Sequence, residues 1–226
     1  MIRITASGIE VEQDSIPRLR AEFEETGCAM LPGFISPPLL DILLRQLETA
    51  SFQSIREVGT VNGRVFGNTL RLLQTEPGVV ALNFILNRPE LFELARQICN
   101  TPPLGHFLGR LHRTTADSDQ HIDWHSDAVD FRVLGLDINL SSRAHVGGVF
   151  QMRDADRQIR REIADWAPGD AFLFRIDGDW HHRLTRVESG ARTVGVGWFR
   201  MQPDWRMVYG YASPQRFRRQ VQEQSA

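Results

Sequence analysis

Between residues 106 and 201 the chain divides into short runs of strand-forming residues separated by turn signals, and this pattern restricts the fold more than any other feature. Aliphatic and aromatic residues dominate the runs, whereas glycine, proline, asparagine and aspartate are common in the intervals. Short strands at such spacing are typical of an all-β barrel or a jelly roll with two sheets. Strands are predicted near residues 106–113, 119–125, 132–141, 148–153, 159–164, 171–176, 181–187 and 192–201.

The first 104 residues have a different pattern, because many of their apolar residues recur at helical spacing. One helix is predicted for residues 15–26 with Ser15 as its N-cap, and another from Ser36 to Ala50 with Pro37 and Pro38 in its first turn. Residues 51–68 are irregular and glycine-rich, and are predicted to form either a lid or an ordinary surface loop. The remaining helices are predicted at residues 69–74, 78–86 and 89–98.

The length of 226 residues fits one domain, in which helical support (1–104) precedes a β core (105–202) and a tail (203–226). The net charge of −2 argues against an electrostatic nucleic-acid binder. No apolar run has transmembrane length and the first eight residues do not resemble a signal peptide, so we expect a soluble, cytoplasmic protein with no membrane association. Cys28 and Cys99 are expected to be free, buried thiols. The sequence leaves the oligomeric state open.

A histidine and aspartate motif lies at the end of the second predicted strand. Residues 120–127 contain two overlapping His-x-Asp pairs, His121/Asp123 and His125/Asp127. On an extended chain these four side chains point to one side. We favour His125 and Asp127 as metal ligands, because the strand ends there and the carboxylate can turn toward a metal at the barrel mouth. His121 and Asp123 would then lie deeper in the barrel or support the ligands.

Residues 180–199 contain a second histidine site and an arginine. His182 and Arg192 flank a turn at residues 188–190, so their side chains are expected at matched heights on two strands. Burying a guanidinium is costly unless an anion pairs with it. That anion could be a bound carboxylate, held by two parallel hydrogen bonds, or one of the chain's own carboxylates. The residues that alternate onto the face of Arg192 are Val194, Val196 and Trp198.

Two histidines and one carboxylate form the facial triad that holds non-haem Fe(II) and leaves coordination positions open. With its other motifs, the chain resembles the Fe(II)- and 2-oxoglutarate-dependent oxygenases, in the branch that includes prolyl-hydroxylase-like and phytanoyl-hydroxylase-like enzymes. The resemblance covers residues 105–202 and includes five motifs in the family's order. These are His125-x-Asp127, Asn139-Leu140, Gly147-Gly148, Pro168-Gly169-Asp170 and His182…Gly190-x-Arg192.

The resemblance implies an α+β fold with a mainly β core, a double-stranded β-helix of the jelly-roll or cupin type, flanked by N-terminal helices. It implies a dioxygenase that binds Fe(II) through His125, Asp127 and His182 and uses 2-oxoglutarate and O2. The spacing to Gly190 and Arg192 selects His182 over His181. Arg192 would hold the far carboxylate of 2-oxoglutarate, although the hydroxyl that the family often has two residues later is replaced by Val194. Candidates for binding the C1 carboxylate are Asn139, Arg110 and His112.

The implied reaction is hydroxylation of an unactivated C–H bond with release of succinate and CO2, and the same chemistry can give desaturation, epoxidation or cyclisation. The substrate would be a small molecule, a free or carrier-bound amino acid, or a peptide in a biosynthetic pathway. Two alternatives are a non-catalytic jelly-roll protein that binds a metal, and a hydrolase or isomerase with another divalent metal, which leaves Arg192 unexplained. Trp124 and Trp198 are the aromatic residues first expected to line a pocket. Substrate choice is expected in loops 51–68, 114–119, 142–147 and 176–180.

Overall fold

A computed structural model describes residues 1–61, 64–73, 77–117, 122–129 and 131–201. The helices in these ranges are α1 (Ser15–Thr26), α2 (Pro37–Thr49), α3 (Pro77–Leu86) and α4 (Pro89–Cys99). The N-terminal strands are β1 (Ile2–Thr5), β2 (Gly8–Val11), β3 (Cys28–Leu31), β4 (Gln53–Val61) and β5 (Arg64–Leu73). The later strands are β6 (His106–Thr115), β7 (Ile122–His125), β8 (Arg132–Asn139), β9 (Val146–Gly147), β10 (Phe150–Arg153), β11 (Ile159–Ile163), β12 (Ala171–Arg175), β13 (His181–Leu184), β14 (Val187–Ser189) and β15 (Ala191–Arg200).

The core of the fold is a double-stranded β-helix made of two facing antiparallel sheets, as the sequence predicts. The large sheet has the strand order β3-β12-β8-β15-β6-β5-β4, and the small sheet has the order β11-β10-β13-β7. Each of the eight predicted strands after residue 105 has an observed counterpart in β6, β7, β8, β10, β11, β12, β13 or β15. We call the space between the two sheets the lumen.

The period of two along each strand divides the apolar residues between two layers. Alternate residues of β8, including Leu134 and Leu136, face the helices and join a core with residues of α1, α2 and α4. From β12, Phe172 and Phe174 face the other way and pack in the lumen with Phe150 of the small sheet. The apolar part of the lumen therefore combines these aromatic rings with aliphatic side chains such as Met152 and Leu184.

Residues 53–61 and 64–73 contradict the sequence prediction of an irregular loop over 51–68 followed by a helix over 69–74, of which Gln74 lies outside the described residues. Instead, β4 and β5 form an antiparallel hairpin, and β5 pairs with β6 through Arg71–Arg113, Leu72–His112 and Leu73–Leu111. Without this hairpin, β6 would end the large sheet with unpaired backbone groups, and pairing with β5 satisfies them. This tertiary demand overrides the glycine-rich local sequence.

The helices before the barrel largely agree with the prediction, with one correction at the first cap. Helix α1 begins at Ser15 itself and follows Asp14, and the Ser15 hydroxyl donates to the Glu12 carbonyl instead of capping the helix. The predicted N-cap role of Ser15 is therefore wrong. Gly27 ends the helix with a φ of 72°, a conformation that glycine adopts at no steric cost.

Both cysteines are free and buried, as predicted. Burial raises the pKa of the Cys28 thiol well above its usual range. None of the helices in the described ranges has the length and apolar character needed to cross a membrane.

Candidate metal centre and its arginine

Three predicted ligands meet at one end of the small sheet. His125 ends β7 and His182 is its direct partner on β13, while Asp127 lies in the loop just after β7. Their ligand atoms all lie within 4.8 Å of one another. The His182 Nε2 to Asp127 Oδ2 distance is 3.5 Å, and the His125 Nε2 to Asp127 Oδ1 distance is 3.8 Å. Two imidazole nitrogens and one carboxylate so arranged are a suitable ligand set for a divalent metal.

The alternative pair in the same segment does not join this cluster. Asp123 is exposed, and its side chain accepts a hydrogen bond from the Trp124 backbone N–H. His121 lies outside the described residues. Trp124, expected to line a pocket, stacks instead against the guanidinium groups of Arg153 and Arg183, at 4.3 and 4.7 Å from its ring centroid.

The ring of His125 is fixed by a backbone contact that leaves one nitrogen available for a metal. Its Nδ1 lies 2.8 Å from the Asp123 carbonyl oxygen. A proton on Nδ1 donates to that carbonyl, so Nε2 keeps its lone pair toward Asp127 and His182. Burial, with the nearby His182, lowers the pKa of His125 to about 4. The imidazole is therefore neutral near pH 7, which is the form that binds metals.

His182 is held by aromatic packing inside the lumen. Its ring lies 5.5 Å from that of Phe150 and nearly parallel to it, and 4.8 Å from that of Phe174. The Phe174 ring in turn lies over Gly135, where an added Cβ would be only 2.0 Å from Phe174 Cζ. His181 faces away and is partly exposed, in agreement with the choice of His182.

Asp127 receives contacts from the large sheet. The Trp198 indole Nε1–H donates to Asp127 Oδ2 at 2.7 Å, and Arg132 Nη1 lies 3.4 Å from Oδ1. The Arg132 guanidinium also stacks on the Trp198 ring at 4.0 Å. Burial acts to raise the pKa of Asp127, but His182, His125 and the indole outweigh it and bring the pKa below its usual range. The carboxylate is thus ionised and oriented before any metal binds.

Arg192 is deeply buried and is paired with a carboxylate of the chain. It is 2% exposed, and its Nη2 donates to Asp137 Oδ2 at 3.1 Å. Asp137 lies on β8 and is 5% exposed. The sequence left open whether Arg192 pairs with a bound carboxylate or with a carboxylate of the chain, and in the structure it pairs with the chain's own Asp137. Among the described residues, the buried Arg192 Nε has no hydrogen-bond partner.

The Gly147-Gly148 motif makes room for the arginine. A Cβ on Gly148 would lie 2.8 Å from Arg192 Cδ, and the backbone φ at Gly148 is 65°. A larger residue would be strained there and would press on the arginine stem. Arg192 and His182 are on different sheets, because the short strand β14 separates β13 from β15 and pairs with β9.

The other predicted co-substrate contacts occupy different positions. His112 and Arg110 lie opposite Val194 and Val196 on the same face as Arg192, so the structure brings both to the lumen side of β6. Arg110 also lies 5.4 Å from the Trp198 ring centroid. The Asn139 amide donates to the Trp166 carbonyl and accepts from the Ser141 backbone N–H, at 2.8 and 2.9 Å. Both ends of Asn139 are thus used by neighbouring backbone.

Sequence reasoning missed two residues of this region. Asp137 could have been found from the alternation of β8, which places it on the same side as Asn139. Arg132 is one of many arginines, and no local pattern distinguishes it. For Trp198, the sequence indicated the lumen face correctly, but not the hydrogen bond to Asp127.

No protein-family model matches the sequence, and no curated protein matches it. Solved structures do match. An oxidoreductase of the 2OG-Fe(II) oxygenase family from Burkholderia pseudomallei superimposes with a TM-score of 0.62 at 18% identity, over 85% of this chain and 94% of that one. A Pseudomonas putida prolyl-4-hydroxylase gives 0.59 at 16%, over 83% and 100%. The non-haem, α-ketoglutarate-dependent epimerase SnoN from nogalamycin biosynthesis gives 0.57 at 15%, over 83% of each chain. The chain therefore has the fold of these oxygenases.

Proposed function

We propose that this chain is an Fe(II)- and 2-oxoglutarate-dependent dioxygenase. The observation that carries the proposal is the His125–Asp127–His182 cluster at the mouth of a double-stranded β-helix. Its donor set suits Fe(II), because two imidazole nitrogens and one carboxylate would hold the metal and leave coordination positions open for other ligands. When bound, Fe(II) with 2-oxoglutarate and O2 supplies an oxidant, and one oxygen atom goes to succinate and the other to the substrate.

The protein's part in this chemistry is to bind and orient. His125 and His182 would ligate through Nε2, the first set by the Asp123 carbonyl and the second by the rings around it. The hydrogen bond from the Trp198 indole would fix the orientation of the Asp127 carboxylate. Arg192 would bind the far carboxylate of 2-oxoglutarate, and the aromatic lining of the lumen would exclude water from the co-substrate.

The substrate is proposed to be a small molecule or a peptide, free or carrier-bound, that is hydroxylated at an unactivated C–H bond in a biosynthetic pathway. Two solved structures with this fold are a prolyl-4-hydroxylase and an epimerase from nogalamycin biosynthesis, which fits both substrate types. Desaturation, epoxidation and cyclisation remain alternative outcomes of the same oxidant. We place the enzyme in the cytoplasm and treat residues 1–226 as one domain.

A second candidate is a non-catalytic jelly-roll protein that binds a metal without 2-oxoglutarate. The Arg192–Asp137 pair favours it, because a guanidinium already neutralised by a buried carboxylate offers less attraction to another anion. The two candidates differ in one property, namely whether a 2-oxo acid chelates the bound metal.

The test is to add Fe(II) and 2-oxoglutarate to the purified chain without oxygen and record the visible metal-to-ligand charge-transfer band. We expect the band in the wild type and its loss in His125→Ala and His182→Ala. His181→Ala is the matched control, since this neighbouring histidine faces away from the cluster, and it should keep the band. Arg192→Ala should require more 2-oxoglutarate, because the far carboxylate loses its cation. Tight metal binding with no band in the wild type would reject the dioxygenase and favour the second candidate.

A further inference from the structure

Asp137 lies between the arginine and the metal centre. On β15, Arg192 and Trp198 are six residues apart on the lumen face, which corresponds to roughly 20 Å along the strand. At the Trp198 end of this stretch of β15, the indole donates a hydrogen bond to the candidate metal ligand Asp127. At the other end, the Arg192 side chain donates a hydrogen bond to Asp137. Asp137 pairs in register with Val196, which falls between them. A chain-like dicarboxylate that reached from the metal to Arg192 would therefore pass Asp137.

The charges around Asp137 oppose such a ligand. Asp137 and Arg192 are both buried, and their pair uses Nη2 of the guanidinium. The other titratable groups that act on Asp137 are His182, Asp127 and the nearby Cys28. Burial acts to raise the pKa of Asp137, and the neighbouring Arg192 acts in the opposite direction by favouring the ionised carboxylate. A second carboxylate at Arg192 would be repelled by the first, because two like charges share one cation.

The guanidinium nevertheless keeps a donor for a ligand. Arg192 Nε is buried and has no hydrogen-bond partner among the described residues. A buried donor without a partner is costly, and an incoming oxygen would remove that cost. Arg192 therefore donates one hydrogen bond to Asp137 through Nη2, while its Nε–H has no partner among the described residues. A ligand carboxylate would share the guanidinium with Asp137.

We propose that Asp137 is a specificity-determining residue that competes with the far carboxylate of the co-substrate for Arg192 and so weakens 2-oxoglutarate binding. This inference rests on the proposed function of the same site. It goes beyond that function by assigning a role to Asp137 and by stating how much the second carboxylate of 2-oxoglutarate contributes to its binding affinity. In the wild type, 2-oxoglutarate and 2-oxopentanoate, which lacks the second carboxylate, should bind within about tenfold of each other.

The variant test is Asp137→Asn, which removes the charge but keeps the size and an oxygen that can accept from Arg192. Anaerobic titration of the Fe(II)-loaded chain, followed by the charge-transfer band, should show 2-oxoglutarate binding at least about tenfold tighter than in the wild type. The affinity for 2-oxopentanoate should change less than about twofold, because that ligand places no carboxylate at Arg192. Asp156→Asn, an exposed residue in the turn before β11, is the matched control and should behave as the wild type.

Other outcomes have separate meanings. Unchanged or weaker 2-oxoglutarate binding in Asp137→Asn would overturn the inference and make Asp137 an anchor that positions Arg192. If that variant does not fold, the wild-type comparison decides, and a preference for 2-oxoglutarate well above tenfold overturns the inference. If neither 2-oxo acid gives a band in wild type or variant although metal binds, the proposed function itself fails.

Discussion

Asp127 connects the two sheets. It lies in the loop after β7 of the small sheet, and its carboxylate accepts a hydrogen bond from a residue of the large sheet. The donor is Trp198 Nε1–H, at 2.7 Å. Groups that hydrogen-bond to a metal ligand fix its orientation and raise its effective affinity for the metal. We therefore expect Trp198 to position the candidate metal ligand Asp127, separately from any contact with substrate.

Replacing Trp198 with phenylalanine should weaken Fe(II) or Co(II) binding by about 10- to 100-fold, because the ring remains but the donor is lost. Trp124→Phe is the matched control, since that ring stacks on the guanidinium groups of Arg153 and Arg183. Metal titration of both variants measures the effect. Equal affinities in the two would mean that the indole hydrogen bond does not position Asp127.

At the scale of single residues, the sequence predicted the three ligand candidates because residue type and spacing together specify a metal chemistry. Alternation along β8 could have placed Asp137 on the lumen face, but alternation does not show which charge on another strand a side chain reaches. The same limit applies to Arg132, which contacts Asp127 in the loop before β8 and stacks on Trp198 of the neighbouring strand β15. Contacts between side chains of different strands are tertiary information.

At the scale of elements, β8, β12 and β13 form a packed series behind the metal centre. Gly135 of β8 receives the Phe174 ring of β12, and that ring lies against His182 of β13. The absence of a side chain at Gly135 leaves room for the Phe174 ring, which packs against the candidate ligand His182 on the small sheet. Sequence alternation identified all three strands, but it could not show that a glycine in one supports a histidine in another.

Gly135→Ala should force Phe174 toward His182, because the added Cβ would otherwise lie 2.0 Å from Phe174 Cζ. Overpacking of this kind costs about 1–3 kcal/mol of unfolding free energy, and metal affinity should fall as well. Gly178→Ala is the control, since nothing lies within 4 Å of a Cβ placed there. Urea unfolding and metal titration measure the two effects. A Gly135→Ala protein as stable as Gly178→Ala would show that Phe174 can move freely.

The hairpin of β4 and β5 is where element prediction failed. The eight barrel strands have clear turns and alternation, so local sequence suffices for them. The sequence between β4 and β5 does contain a turn signal, because Asn62-Gly63 is a dipeptide common in two-residue hairpins. The local sequence cannot show that β5 pairs with the edge of β6, because that edge is created by another segment.

For the whole molecule, the candidate metal site joins parts that are distant in the chain. His125 and His182 come from the small sheet, and Asp127 is hydrogen-bonded to Trp198 of the large one.

A ligand that binds only the folded state stabilises it, by about 2.7 kcal/mol at a concentration 100 times its dissociation constant. For a chain of this size each kcal/mol raises the unfolding temperature by about 2–4 °C. We therefore expect Co(II), used as an air-stable substitute for Fe(II), to raise that temperature by about 5–10 °C. A chelator should reverse the rise. His182→Ala should show almost none, whereas His181→Ala should respond like the wild type. Thermal unfolding followed by circular dichroism measures this, and equal shifts in both histidine variants would place the metal elsewhere in the molecule.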